Sequence, residues 1–70
     1  MATKKFGYTM TASGYGSKTY RYATRDEALK EMKSDAQNTA GDCEGEVHDY
    51  GDEIVVSDYT GDEIARFEML

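Results

Sequence analysis

The hydrophobic pattern of this chain changes period twice, and that switch leaves few folds open. Lys5 to Ala12 alternates, with Phe6, Tyr8, Met10 and Ala12 on one side and Lys5, Gly7, Thr9 and Thr11 on the other. This is the period of a half-buried strand. Ser13-Gly14-Tyr15-Gly16-Ser17 breaks the alternation, which returns over Lys18 to Ala23 with Tyr20 and Tyr22 on one side. The first 23 residues therefore predict a β-hairpin.

Thr24-Arg25-Asp26-Glu27 then fits a capping box, in which the Thr24 hydroxyl accepts from the Glu27 amide and the Glu27 carboxylate reaches back to the Thr24 amide. Ala28, Leu29, Met32 and Ala36 follow at helical spacing, and Asp26 and Glu27 sit where the helix macrodipole favours acids. With Gly41 as a C-terminal stop, the helix is predicted over about 25 to 39.

Beyond the helix the chain uses one turn recipe twice. Asp49-Tyr50-Gly51-Asp52-Glu53-Ile54 recurs as Asp58-Tyr59-Thr60-Gly61-Asp62-Glu63-Ile64. Glycine supplies the positive φ of a tight turn and aspartate the side-chain hydrogen bonds. A three-strand meander is predicted, with strands near 43 to 50, 53 to 59 and 63 to 69.

Strand-strand-helix-strand-strand-strand is an α+β arrangement: a single domain over residues 1 to 70, with one helix packed on an antiparallel sheet of about five strands. One amphipathic helix covers one sheet face, so the other face is expected to be open. The predicted core is Phe6, Tyr8, Met10, Tyr20, Tyr22 and Leu29 from the first half, and Met32, Ala36, Val47, Val56, Phe67 and Met69 from the second. Ile54, Val55 and Val56 are consecutive, so their strand carries apolar groups on both faces. It is expected to be central or covered on its second side, which hints at an interface.

At 70 residues burial only just offsets chain entropy. Small domains of this kind gain robustness from disulfides, a structural metal or association. Cys43 is the only cysteine, so no internal disulfide can form, and one cysteine with one histidine cannot supply a four-ligand metal centre. No metal or cofactor is expected, which leaves partner binding or homodimer formation. No stretch reads as a signal peptide or a membrane span, and the expected location is the cytoplasm.

Charge is distributed unevenly. Residues 1 to 25 carry Lys4, Lys5, Lys18, Arg21 and Arg25 and no acid, whereas residues 42 to 70 hold ten acids against Arg66, within a net charge of −6. Such asymmetry biases which partners a surface attracts and how fast they arrive.

Enzymatic motifs are missing from the pattern. His48 lies between Val47 and Asp49 without a Ser or Cys nucleophile signature beside it. Cys43 is followed by acids that disfavour its thiolate, so it is expected to pack rather than react. Gly14-Tyr15-Gly16-Ser17-Lys18 lacks the spacing of a phosphate-binding loop and joins two strands. The acidic turns lack the alternating ligands of a calcium loop. The chain is expected not to be an enzyme.

Two binding modes fit better. A single-stranded nucleic acid could stack on Tyr8, Tyr15, Tyr20 and Tyr22 of the basic hairpin, although the net negative charge opposes it. Alternatively, the acidic carboxyl-terminal sheet binds a basic protein surface through Glu44, Glu46, Asp49 and Asp52 together with Glu53, Asp58, Asp62 and Glu63. Glu44 and Glu46 are expected on one face of a strand, roughly 6.6 to 6.8 Å apart. Such a surface competes for Lys and Arg side chains that otherwise hold phosphate. Direct nucleic-acid binding and membrane binding are not expected from this second mode.

In its length, acidity, tyrosine content, strand-helix-meander layout and lack of catalytic motifs, the chain resembles small phage-encoded inhibitors of the anti-CRISPR kind. The resemblance implies a stoichiometric inhibitor in the host cytoplasm that occupies the nucleic-acid-binding or partner-binding surface of a CRISPR-Cas effector or other defence nuclease. A structural or adaptor subunit is the alternative from another class.

Overall fold

The computed structural model describes residues 5–70. Strands β1 (Phe6–Ala12) and β2 (Gly16–Tyr22) form the hairpin, helix α1 (Arg25–Cys43) follows, and β3 (Glu46–Asp49), β4 (Glu53–Ser57) and β5 (Glu63–Met69) complete the chain. The five strands make one antiparallel sheet in the order β2-β1-β5-β4-β3. The α+β class and the element order are those the sequence predicts.

The hairpin closes in the register Phe6↔Tyr22 to Ala12↔Gly16. Both copies of the turn recipe use the same chemistry. Gly51 and Gly61 take φ of 92° and 91°. Asp49 Oδ1 accepts from the Gly51 amide at 2.8 Å, and Asp58 Oδ1 from the Thr60 amide at 2.9 Å. These side-chain bonds hold the loop while glycine absorbs the backbone reversal. The second turn takes in Asp58 and Tyr59, so β4 ends at Ser57 rather than near 59.

At the helix start the Thr24 hydroxyl accepts from the Glu27 amide at 3.2 Å, one of the two bonds expected of the capping box. The helix end differs from expectation. Gly41 lies inside the helix, which runs on to Cys43, and Glu44 caps it in the left-handed conformation with φ 55°. The Glu44 and Gly45 amides both point back to the Ala40 carbonyl, the latter at 2.9 Å. Gly41 fails as a stop because a stop requires an αL residue in the right place, and an exposed helical glycine is tolerated at a cost near 1 kcal/mol. The longer helix shortens the following strand, which starts at Glu46 rather than 43.

Ala28, Met32, Ala36 and Ala40 recur every fourth residue and are buried against the sheet. The three alanines let the helix approach closely while Met32 fills the space between, and Tyr8, Ile54, Val56, Ala65 and Phe67 meet them from the strands. The Tyr8 hydroxyl donates to Asp35 on the helix at 2.9 Å. Burial, and then the neighbouring Asp35 carboxylate, push the Tyr8 phenol well above its ordinary pKa. The bond thus ties β1 to α1 across the whole neutral range.

Three core expectations need correction. Phe6 is 39% exposed because β5 pairs with β1 only from Tyr8 onward, so Phe6 lies beyond the paired part of that strand. Val47 is 37% exposed because β3 is an edge strand. Ile54, left out of the predicted core, is completely buried beside Val56. Met10, Tyr20, Tyr22, Leu29 and Met69 pack around the core half-buried.

The central strand is β5, not β4. Ile54 and Val56 face the helix, whereas Val55 is half-buried on the open face between its partners His48 and Arg66. The long Arg66 stem covers apolar surface there, so an apolar Val55 needs no second layer.

Glu44 carries two local penalties, a positive φ and an acid at the negative end of a helix dipole. Replacing it with Gly is expected to stabilise the domain by about 1 kcal/mol, because the gain at αL exceeds the added flexibility of the unfolded chain. Glu44→Gln should recover only the dipole part. Denaturant midpoints ordered Gly above Gln above Glu would verify both contributions.

Candidate functional site

Strand directions decide which of the predicted acids meet. β1 and β4 run toward the end of the sheet where the helix finishes, so the 13–15 and 58–62 turns lie side by side there, and the Ser13 amide donates to the Ile64 carbonyl at 2.9 Å. The 50–52 turn lies at the opposite end, beside the helix start.

The eight predicted partner-binding residues therefore separate. Glu44, Glu46, Asp58, Asp62 and Glu63 gather at the helix C-terminal end, and Glu44, Glu46 and Asp58 line one recess with Ser57, Tyr59 and Thr60. Asp49, Asp52 and Glu53 lie at the other end. Glu44 and Glu46 do not project from one strand as expected, because Glu44 is the helix cap. They converge instead through the tight reversal at Gly45.

The two ends differ electrostatically. At the helix start Asp52 pairs with Arg25 at 2.6 Å and Asp49 with Lys33 at 3.8 Å. Exposed pairs like these contribute little stability, but they cancel charge locally. At the other end the carboxylates of Asp42, Glu44, Glu46, Asp58, Asp62 and Glu63 have one ion-paired Arg or Lys among the described residues, the Arg66 guanidinium that donates to Glu63 at 2.8 Å. Glu46 lies 3.8 Å from His48. The helix contributes its own negative end, with no basic residue in its last turn. The surplus negative potential is thus concentrated at one end of the molecule.

Asp58 stays ionised below the usual carboxylate range. The Thr60 hydroxyl is the largest cause, helped by turn amides that also donate to the carboxylate. A β-bulge where Glu63 pairs with Ser57 sets Glu63 on the open face with Arg66. The Arg66 guanidinium, held by Glu63 and surrounded by Glu53 and Glu68, is raised further above its ordinary pKa. Glu53 stands directly opposite Glu68 in the sheet, a like-charge pair that Arg66 moderates.

Two tyrosines join the acidic end that the acid pattern did not single out. Tyr15 is 92% exposed at the hairpin tip and Tyr59 is 80% exposed in the β4–β5 turn. For Tyr59 the signal lay in the repeat, whose other tyrosine, Tyr50, is 70% exposed in the turn at the opposite end, whereas Tyr15 lay in the hairpin loop. Rigid, amphipathic and exposed tyrosines beside charge are the usual anchors of protein interfaces.

The basic hairpin offers a different surface. Tyr20 and Tyr22 pack on Tyr8 with ring centroids 5.2 and 6.0 Å away, turned toward the helix. Its open face carries Thr9, Thr11, Ser17, Thr19 and Arg21, with Thr9 bonded to Thr19 and Thr11 to Ser17. Lys18 lies 5.4 Å from the Tyr20 ring centroid. Lys4 lies outside the described residues, and Lys5 is exposed. The open face is hydroxyl-rich rather than aromatic, which removes the stacking platform.

Folding also brings His48 Nε2 within 3.1 Å of Ser57 Oγ, a pairing across β3 and β4 that sequence proximity did not reveal. Glu46 approaches the same nitrogen at 3.8 Å. A hydrolytic triad needs its acid on the other ring nitrogen, so the geometry does not prepare Ser57 as a nucleophile. Among the described residues no group of three His, Cys, Asp or Glu is placed to hold a metal ion. No helix among them is long and apolar enough to cross a membrane.

No protein family, curated protein or solved structure matches the chain. The site therefore has to be read from its own geometry.

Proposed function

We propose that this protein is a non-enzymatic, protein-binding inhibitor that docks its helix C-terminal end on a basic protein surface. The observation that carries the reading is the asymmetry of the acids. At one end Glu44, Glu46 and Asp58 share a recess with exposed Tyr59, and Asp58 and Asp62 line a groove with exposed Tyr15, whereas Asp49 and Asp52 at the other end are matched by helix cations. A surface of clustered carboxylates presents to Lys and Arg what a phosphate backbone presents, and the tyrosines add apolar anchors. The fitting target is the nucleic-acid-binding or partner-binding surface of a defence nuclease or effector complex, in the manner of anti-CRISPR inhibitors.

The test is capture from a bacterial lysate at low and moderate salt, followed by rate measurements on the retained protein. Glu44→Gln with Glu46→Gln and Asp62→Asn is expected to slow association by about tenfold or more and to flatten its salt dependence, since steering of this kind is screened over roughly 8 to 10 Å. Asp49→Asn with Asp52→Asn should leave association close to that of the parent. Retention of nucleic acid alone would overturn the reading, self-association alone would favour a structural role, and equal losses from the two variants would remove the functional distinction between the ends.

A further inference from the structure

Between the end of α1 and the β1–β5 pair lies a groove of about 570 Å³. Met10, Ala12, Ile64 and Ala65 give it an apolar lining. On the helix side stands Thr39, whose hydroxyl already donates to the Asp35 carbonyl at 2.9 Å. Asp58 and Asp62 form an acidic rim, and Tyr15 stands at its edge, 92% exposed. Apolar lining, anionic rim and an aromatic ring thus meet in one concavity.

We propose that this groove receives an arginine side chain from the partner protein, together with the residues flanking it. The inference rests on the docking reading above and names the anchor of that interface. An arginine has the matching shape: an aliphatic stem to lie along Met10, Ala12 and Ile64, and a charged planar head to reach the rim. Asp58 is suited to receive it. Its Oδ1 takes the bonds from the Thr60 amide, the Thr60 hydroxyl and the Asp62 amide, which leaves Oδ2 without a bond among the described residues. Those same bonds keep the carboxylate ionised. Tyr15 favours arginine over lysine, because a guanidinium plane stacks on an aromatic face while it donates at its edge, whereas an ammonium is a compact, strongly hydrated point charge. The volume accommodates the side chain with its neighbours, as a loop or extended segment would present it.

The probe is N-acetyl-arginine methylamide, titrated into isotope-labelled protein and followed by amide chemical shifts. Saturable shifts confined to Ala12, Ser13, Tyr15 and the 61–65 segment are expected. The norleucine analogue, which lacks the charge, and guanidinium ion, which lacks the stem, should each bind about tenfold or more weakly. Ala12→Phe fills the groove from the sheet side and Thr39→Trp from the helix side. Whichever retains a dispersed native spectrum should lose the saturable response, and Asp62→Asn should weaken it. Shifts spread equally over the Asp49–Asp52 turn, or a guanidinium response equal to that of the arginine probe, would overturn the groove in favour of diffuse charge attraction. The two proposals fail separately. A groove-filled variant that still captures its basic partner sinks the arginine anchor and leaves docking intact, whereas specific arginine binding without capture of any basic protein sinks docking and leaves the groove.

Discussion

Replacing Phe67 with Ala is expected to destabilise the domain by about 3 to 5 kcal/mol, about a third or more of its stability. A chain of this length carries a total stability of only about 3.5 to 10 kcal/mol at the usual per-residue values. Phe67 is completely buried on the central strand, opposite Met10 on one side and Ile54 on the other, with the Tyr8 ring centroid 6.0 Å away. Truncation would leave a cavity that two strands and the helix share, and none can close it without losing register. Met32→Ala, on the helix side of the same cluster, should cost about 2 to 5 kcal/mol. Phe6→Ala should cost far less, because Phe6 is 39% exposed at the end of β1. Guanidinium denaturation of the three variants checks the ranking. Equal midpoints for Phe67→Ala and Phe6→Ala would mean that the sheet faces have been assigned the wrong way round.

How far the fold was legible follows from where its determinants lie. Local chemistry wrote the hairpin, the Thr24 cap and both Asp-Gly turns into short segments, and each forms where the residues place it. Burial at strand ends was not legible in the same way, because it depends on neighbours far along the chain. Phe6 and Val47 alternate correctly but lie where a neighbouring strand is short or absent. Ile54 and Val56 share the helix face, yet in a run of three apolar residues periodicity alone could not show which face was covered.

The site divides along the same line. The sequence contained every acid, but composition could not show that Asp49 and Asp52 would meet Lys33 and Arg25 while Asp58 would meet Glu44 and Glu46. That partition follows from the direction of the helix and the order of the strands. Both exposed tyrosines at the acidic end were visible as letters in turns. Their convergence was not, because it requires the β1–β5 pairing, between strands at opposite ends of the chain.

One substitution made at two glycines of the same segment should have opposite effects. Gly41→Ala is expected to stabilise the domain by about 0.5 to 1 kcal/mol, since Gly41 is exposed and helical and an added Cβ would meet open space. Gly45→Ala is expected to cost about 1 to 3 kcal/mol or more, because its Cβ would collide with the Ser57 carbonyl and crowd the Cys43 sulfur. Ser57 cannot recede, for Val56 beside it is completely buried and the bulge opposite Glu63 fixes its backbone. The chain would have to shift at Glu44 and Glu46, which Gly45 holds near Asp58. Gly45→Ala should therefore weaken partner capture as well as stability, even at temperatures where the variant stays folded. Gly41→Ala should leave capture unchanged. Thermal melts and binding measured on the same two proteins test both links, and a Gly45→Ala variant with parental capture would show that the acidic end does not depend on this close backbone approach.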